Sequence, residues 1–163
     1  DILNQEINIP EPELLKSYKE ILPPITYYND ALRLLNYLKE TNKKIIIITM
    51  FENIKTHQHK LKELENFVHK VILVKEKFSL SKKFNIFEEI LISESLNPFE
   101  TISIGDNFYT DIYPSHLANY QMIFYIQRSN SYVPSIDLKK CFDSHFKNII
   151  TISSLDEVKN YIY

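Results

Sequence analysis

Glycine, cysteine and tryptophan are scarce or missing in this sequence of 163 residues, which contains 1 Gly, 1 Cys and no Trp. Cys141 has no second cysteine to pair with, so an internal disulfide is excluded, and a reducing, cytoplasmic compartment is the simpler expectation. No apolar run approaches the roughly 20 residues that a membrane-spanning helix needs. The formal net charge of -2 gives no electrostatic support for binding to nucleic acid or to an anionic membrane, so we expect neither partner.

The remaining composition is typical of a globular domain, with 44% hydrophobic and 25% charged residues. A chain of this length is large enough to form one domain with its own core. The sequence begins at Asp1 and not at Met, and we therefore expect a processed, truncated or partial chain.

Short β-branched runs alternate with helical patterns along the chain, which favours a doubly wound α/β domain with a parallel sheet. The apolar runs predict strands at residues 44–49, 71–74, 101–104, 122–126 and 149–152. Apolar residues at helical spacing predict helices at 12–21, from a cap at Asn29 or Asp30 onward, at about 55–67, at 84–95 and beyond Asp111 to about Tyr120. Residues 75–83 are interpreted as a lysine-rich loop, and Ser154 with Glu157 forms a capping box that predicts a terminal helix.

The stretch 101–112 has the most informative pattern in the chain. A β-branched strand ends at Gly105, the single glycine, which indicates a backbone conformation or a close approach that other residues resist. We expect Asp106 and Asp111 on the loop at the carboxyl end of that strand, where ligands bind in open α/β sheets. These two carboxylates, with Asn107 between them, suit Mg²⁺. The alternative is a turn in which Asp106 only caps the next helix.

Two further groups match this pattern in chain order. Thr49 ends a buried strand, where a hydroxyl and the free backbone N–H groups after it can bind a phosphate oxygen. Lys82 and Lys83 stand at a predicted helix start, and an ammonium there can neutralise a phosphate and a carboxylate. The alternatives are a threonine that only ends a strand and lysines that are solvated.

These residues resemble the haloacid dehalogenase (HAD) superfamily, most of whose members are phosphatases. The run Ile45-Ile-Ile-Ile-Thr49 is similar to its second motif, Lys82 or Lys83 to its third, and Gly105-Asp106 with Asp111 to its fourth. The resemblance implies a HAD-like core at residues 25–163, with 1–24 as a cap remnant or an N-terminal helical segment. It also implies a Mg²⁺-dependent phosphohydrolase for a small phosphorylated substrate, acting through an aspartyl-phosphate.

The same resemblance assigns roles to the matching residues. Thr49, Lys82 and Lys83 would be catalytic, and Thr49, Met50 and Phe51 would bind the phosphoryl group. Asp106, Asp111 and Asn107 would hold the metal.

The sequence also departs from the family pattern. Thr49-Met50-Phe51 replaces the usual Thr-Asn-Gly, and no proline follows Lys82 or Lys83. The first motif, Asp-x-Asp-x-Thr, which supplies the nucleophile on a strand between the second-motif and fourth-motif strands, does not occur in this sequence. We therefore expect an additional N-terminal segment in the natural protein, and two unpaired strand edges without it. A noncatalytic HAD-like binding module is the alternative. A receiver-like signalling domain fits less well, because its acidic pair lies near the amino end.

Overall fold

The computed structural model describes residues 26–50, 64–74, 80–128 and 146–162, with the backbone alone at Met50, Leu73 and 80–85. Within these ranges, no helix is both long and apolar enough to cross a membrane. The elements in chain order are α1 (Asn29–Glu40), β1 (Ile46–Met50), β2 (Lys70–Val74), α2 (Leu80–Ser93), a 3₁₀ turn (Pro98–Glu100), β3 (Ile102–Gly105), a π-helical turn (Phe108–Ile112), α3 (Tyr113–Leu117), β4 (Met122–Ile126), β5 (Ile149–Ile152) and a 3₁₀ helix (Leu155–Asn160).

The described strands form two parallel sheets. In one sheet β1 pairs with β2, with Ile46 opposite Lys70 and Met50 opposite Val74. In the other the order is β3-β4-β5, with Ile102 opposite Met122 and Ile123 opposite Ile149. Parallel strands require crossover connections, and helices provide such connections in α/β proteins.

β4 is the centre of the three-stranded sheet, and its side chains alternate between two hydrophobic clusters. Ile123 and Tyr125 pack with Phe87 of α2 on one face, in what we call the α2 cluster. Phe124 and Ile126 pack with Leu34 of α1 and with the C-terminal 3₁₀ helix on the other face, in what we call the α1 cluster. Because both faces are covered, β4 is an apolar run, as buried parallel strands require.

Glu94 fixes the relative direction of the two sheets. It follows the end of α2 and pairs at 2.6 Å with Lys44, before β1, and at 2.6 Å with Lys70, the first residue of β2. The chain then reaches the amino end of β3 through the 3₁₀ turn at Pro98–Glu100. The amino ends of β1, β2 and β3 therefore lie together, and their carboxyl ends share the opposite edge.

The α/β class with parallel sheets is confirmed, as are the strands 122–126 and 149–152 and the capping box. The capping box opens a 3₁₀ helix, which is tighter than the expected α-helix. The prediction of a helix through 67 is wrong at its end, because 64–67 form a turn. α2 begins at Leu80, so Lys82 and Lys83 lie in a helix that starts four residues earlier than predicted.

The expected cap of α1 is also wrong. The N-cap residue is Tyr28, which makes no side-chain cap hydrogen bond, and Asn29 and Asp30 lie inside the first turn. The predicted helix at 12–21, the boundary at 24/25 and the first part of the predicted helix at 55–67 lie outside the described residues.

Candidate functional site

Gly105 ends β3 in close contact with Asp111. A Cβ atom built on Gly105 would lie 2.3 Å from the Asp111 Cβ and 2.9 Å from its Oδ2. No described glycine has a positive φ, so close approach and not backbone conformation is the reason for glycine here. The sequence left these two explanations open, and the structure selects the second.

Asn107, and not Asp106, caps the helical turn that follows. Its Oδ1 accepts hydrogen bonds from the backbone N–H groups of Tyr109 and Thr110, each at 3.1 Å. The alternative in which Asp106 only caps the next helix is therefore wrong. The prediction that Asp111 lies on the loop is also wrong, since the turn at Phe108–Ile112 is already helical and contains Asp111. The π-helical turn brings Asp111 back over Gly105.

The carboxylate of Asp111 is held at two points. Its Oδ2 accepts from the backbone N–H of Asn107 at 3.2 Å, and its Oδ1 accepts from the Thr110 hydroxyl at 2.9 Å. Asp111 is half-buried, whereas Asp106 is exposed. The two carboxylates thus have different environments, one fixed by the turn and one presented to solvent at the edge of the sheet.

The carboxylates of Asp106 and Asp111 suit a Mg²⁺ ion better than a metal ion whose ligands are all protein side chains. Among the described ranges there is no group of three or more His, Cys, Asp or Glu side chains that could hold a metal. Mg²⁺ is usually held by one or two carboxylates and keeps several of its waters. The assignment of the exposed Asp106 and the restrained Asp111 as metal-holding residues stays a prediction. Because the Asn107 Oδ1 already accepts two hydrogen bonds, its role as a metal ligand stays a prediction.

The remaining predicted site residues belong to β1, to the segment after it and to α2. Thr49 is half-buried near the carboxyl end of β1, at the same edge as Gly105 and Asp106. Met50 is described by its backbone alone, and Phe51 lies outside the described ranges. Lys82 and Lys83 lie in the first turn of α2, where the side chains are not described. Their approach to Asp106 therefore stays a prediction.

A buried ion pair at this edge was not predicted from the sequence. Asp30 of α1 accepts from Arg128, beyond the end of β4, with N···O distances of 2.7 and 3.0 Å. It also accepts from the Leu155 backbone N–H at 2.9 Å and from the Ser154 hydroxyl at 3.2 Å. Burial raises the pKa of Asp30, but the hydrogen bonds from Leu155, Arg128 and Ser154 outweigh it, so the pKa is lowered overall. These contacts join α1 to the ends of β4 and β5.

The comparisons with known proteins agree with this arrangement. The family model for haloacid dehalogenase-like hydrolases matches residues 3–125. Since this is more than half of the chain, the protein belongs to the haloacid dehalogenase-like hydrolase family. None of the curated proteins matches the sequence.

Two solved structures share the fold. A HAD phosphatase from Thermococcus onnurineus is 20% identical, with a TM-score of 0.65, and a haloacid dehalogenase-like family hydrolase from Xanthomonas campestris is 12% identical, with a TM-score of 0.62. Each match covers 94% of this chain and 64% of the other chain. At these identities the likeness concerns the fold, and the chain spans less than two thirds of either protein.

Proposed function

We propose that this chain is the metal-binding and phosphate-binding core of a Mg²⁺-dependent phosphohydrolase. Its substrate would be a small phosphorylated molecule in the cytoplasm, and not nucleic acid or a membrane. The observation that carries the proposal is the pair of carboxylates at the end of β3, one exposed and one held by the Asn107 N–H and the Thr110 hydroxyl. Family membership supports the reaction class.

Each predicted residue has a role in this reaction. Asp106 would hold Mg²⁺, which would neutralise phosphate charge when bound. Asp111 would keep the site in place from its contact with Gly105, and Asn107 would support it as the cap of the turn. Thr49 and the N–H groups of Met50 and Phe51 would bind phosphoryl oxygens, and Lys82 or Lys83 would balance the charge.

The proposed chemistry is attack of an aspartate on phosphorus, followed by hydrolysis of the aspartyl-phosphate by water. The sequence contains no Asp-x-Asp pair. The proposal therefore assigns the nucleophile to a strand that these residues do not include, with its carboxyl end between Thr49 and Asp106.

Calorimetric titration with Mg²⁺ tests the metal assignment. We expect binding by the 163-residue chain, at least tenfold weaker binding by Asp106→Asn, and unchanged binding by Glu100→Gln. Glu100 is the matched control, because it is an exposed carboxylate at the opposite, amino end of β3. Equal affinities for the unmodified chain and Asp106→Asn would show that Asp106 is not the ligand.

The second candidate function is a noncatalytic HAD-like binding module, which Thr49-Met50-Phe51 and the lack of a proline after Lys82 or Lys83 favour. The two candidates differ in what an added strand with an Asp-x-Asp pair would do. On the enzyme proposal, a chain extended by an apolar strand ending in Asp-x-Asp hydrolyses a generic aryl phosphate, and the same extension with Asn as the first residue of the pair does not. If both extended chains fold and neither hydrolyses the ester, the binding module is the better description.

A further inference from the structure

Pro114 lies inside a helical segment, where proline disturbs the hydrogen-bond pattern. The π-helical turn Phe108–Ile112 continues without a break into α3, so the helical segment runs from Phe108 to Leu117 and contains Pro114 in its interior. Proline has no N–H to donate to the residue four positions earlier, and its ring clashes with the C=O of that residue, here Thr110. Pro114 is also fully buried, so the surrounding core fixes its ring. The helix must therefore depart from α-helical geometry close to Pro114.

The backbone hydrogen bonds change register directly before Pro114. Ile112 N–H donates to the Asn107 C=O at 3.3 Å. Tyr113 N–H donates to the Phe108 C=O. Both bonds span five residues, whereas the bonds of an α-helix span four. A third bond of this kind would need the N–H that Pro114 lacks, so the wide register ends at the proline.

The α-helical spacing returns beyond the proline. Ala118 N–H donates to the Pro114 C=O at 3.0 Å, four residues earlier. Ser115 ties α3 to the turn, because its buried hydroxyl donates to the C=O groups of Asp111 at 2.5 Å and Ile112 at 3.0 Å. The wide turn is thus confined to the residues directly before Pro114, where widening moves the C=O four residues earlier away from the proline ring.

The wide register determines where the Asp111 carboxylate lies. Successive residues of an α-helix lie about 100° apart around its axis, so a turn with one residue fewer would rotate Asp111 away from Gly105. In the observed register, the Asp111 Oδ2 accepts from the Asn107 N–H at 3.2 Å. A Cβ atom on Gly105 would overlap the Asp111 Cβ. The position of Asp111 at the end of β3 therefore depends on the hydrogen-bond register of the turn.

We infer that Pro114 is a positioning residue, which holds the turn Phe108–Ile112 in the wide register and thereby keeps the Asp111 carboxylate over Gly105. Its effects on hydrogen bonding and on stability need no ligand. Its effect on Mg²⁺ binding rests on the proposed function, in which Asp111 supports the metal held by Asp106.

Thermal unfolding of paired variants tests the register. Pro114→Ala supplies the missing N–H and removes the ring, so the turn should return to α-helical spacing. Gly105→Ala reports this change, because its methyl group overlaps Asp111 only in the wide register. We expect Gly105→Ala to lower the Tm less than half as much in the Pro114→Ala background as in the unmodified chain.

Pro98→Ala is the matched control background. Pro98 is the first residue of a 3₁₀ turn at the opposite end of β3, where no N–H is needed. In this background Gly105→Ala should lower the Tm by as much as in the unmodified chain. An equal loss of Tm in the Pro114→Ala background as well would overturn the inference.

Scalar couplings across hydrogen bonds identify the register directly by NMR. The amide nitrogen of Tyr113 should couple to the carbonyl carbon of Phe108 in the unmodified chain, and to that of Tyr109 in Pro114→Ala. If the coupling to Phe108 persists in the variant, the Asn107 cap and the core hold the turn without the proline, and the inference is wrong. Pro114→Val, which fills more of the buried space, takes the place of Pro114→Ala in all experiments if the alanine variant does not fold.

Calorimetric titration connects the register to the metal site. We expect Mg²⁺ to bind Pro114→Ala about tenfold more weakly than the unmodified chain, and Pro98→Ala with unchanged affinity. A changed register with unchanged affinity would overturn the role of Pro114 at the metal site. If the unmodified chain binds no Mg²⁺, the proposed function fails, and the couplings and Tm values still decide whether Pro114 positions Asp111.

Discussion

At the scale of single residues, the sequence predicted that Gly105 is required, and the structure explains why. A chain with one glycine must need it where it stands, and that requirement was predictable. The reason was not, because the contact with Asp111 depends on a π-helical turn that leaves no periodic pattern in five residues. Asn107 was likewise predicted at the site, but its function as the cap of the turn became visible only with the hydrogen bonds to Tyr109 and Thr110.

Because Gly105 contacts Asp111, we expect the effects of substitutions at these two positions on stability to be strongly coupled. Gly105→Ala should destabilise the protein by about 1–3 kcal/mol, because the new methyl group overlaps the Asp111 Cβ. Asp111→Gly removes that Cβ, so the double variant should be more stable than the sum of the two single effects implies. Urea unfolding of the four proteins measures this. If the losses in unfolding free energy are additive, the helical turn accommodates the new methyl group and the two residues are not coupled.

The buried carboxylate of Asp30 predicts a pH dependence. The pKa of Asp30 is lowered in the folded state, so the ionised carboxylate stabilises the fold at neutral pH. This stabilisation is lost as the pH falls from the ordinary pKa of an aspartate towards the lower pKa of the folded state. Asp30→Asn should cost roughly 2–3 kcal/mol at pH 7, less than a fully buried pair because Arg128 is partly exposed. The difference from the unmodified chain should shrink towards pH 3.

Denaturant unfolding between pH 7 and pH 3 follows this difference. Asp156→Asn is the control, since Asp156 pairs with Arg33 at the surface, where such pairs contribute little. A loss for Asp30→Asn that stays constant across this range would contradict the assignment of the effect to the ionised carboxylate.

At the scale of elements, strands were predicted more accurately than helix ends. β4 and β5 have the predicted bounds because apolar runs between polar residues mark buried strands. α2 begins earlier than predicted because its first turn contains polar residues, which formed no apolar pattern. The pairing of Asp30 with Arg128 joins positions 98 residues apart, so no local pattern could indicate it.

The shortage of glycine also affects how the helices end. Asn42, Ser95 and Asn119 adopt positive φ values, where glycine is the common residue. Asparagine tolerates this conformation, whereas serine has no such preference. We therefore expect Ser95→Gly to stabilise the protein by roughly 0.5–1 kcal/mol.

Ser93→Gly is the matched control, because Ser93 is the last residue of α2 and has helical conformation. There glycine should destabilise by up to about 1 kcal/mol. Thermal unfolding of both variants gives opposite signs if backbone conformation is the cause. A loss of stability in Ser95→Gly would show that the Ser95 side chain matters more than its φ.

At the scale of the whole molecule, the two sheets differ in how well their strands are buried and paired. The sequence resemblance predicted unpaired edges on the second-motif and fourth-motif strands, and the described strands lie in two sheets with a cavity between β1 and β3. β4 has a neighbour on each side and both hydrophobic clusters against its faces. β1 is half-buried, and its described pairing is with β2. Glu94 links the two parts through Lys44 and Lys70, which lower its pKa to about 2.

This difference predicts two levels of stability within one chain. Two-stranded sheets are marginal by themselves, and local opening requires least free energy where burial is least. The amides of β4 should therefore exchange only through global unfolding, with free energies that fall steeply with urea. Those of β1 and β2 should exchange through a smaller opening with a weaker urea dependence. Glu94→Gln, which keeps the side-chain shape but removes the charge, should speed exchange in β1 and β2 and leave β4 nearly unchanged. Equal free energies and equal urea slopes for β1 and β4 would mean that the two sheets unfold as a single cooperative unit.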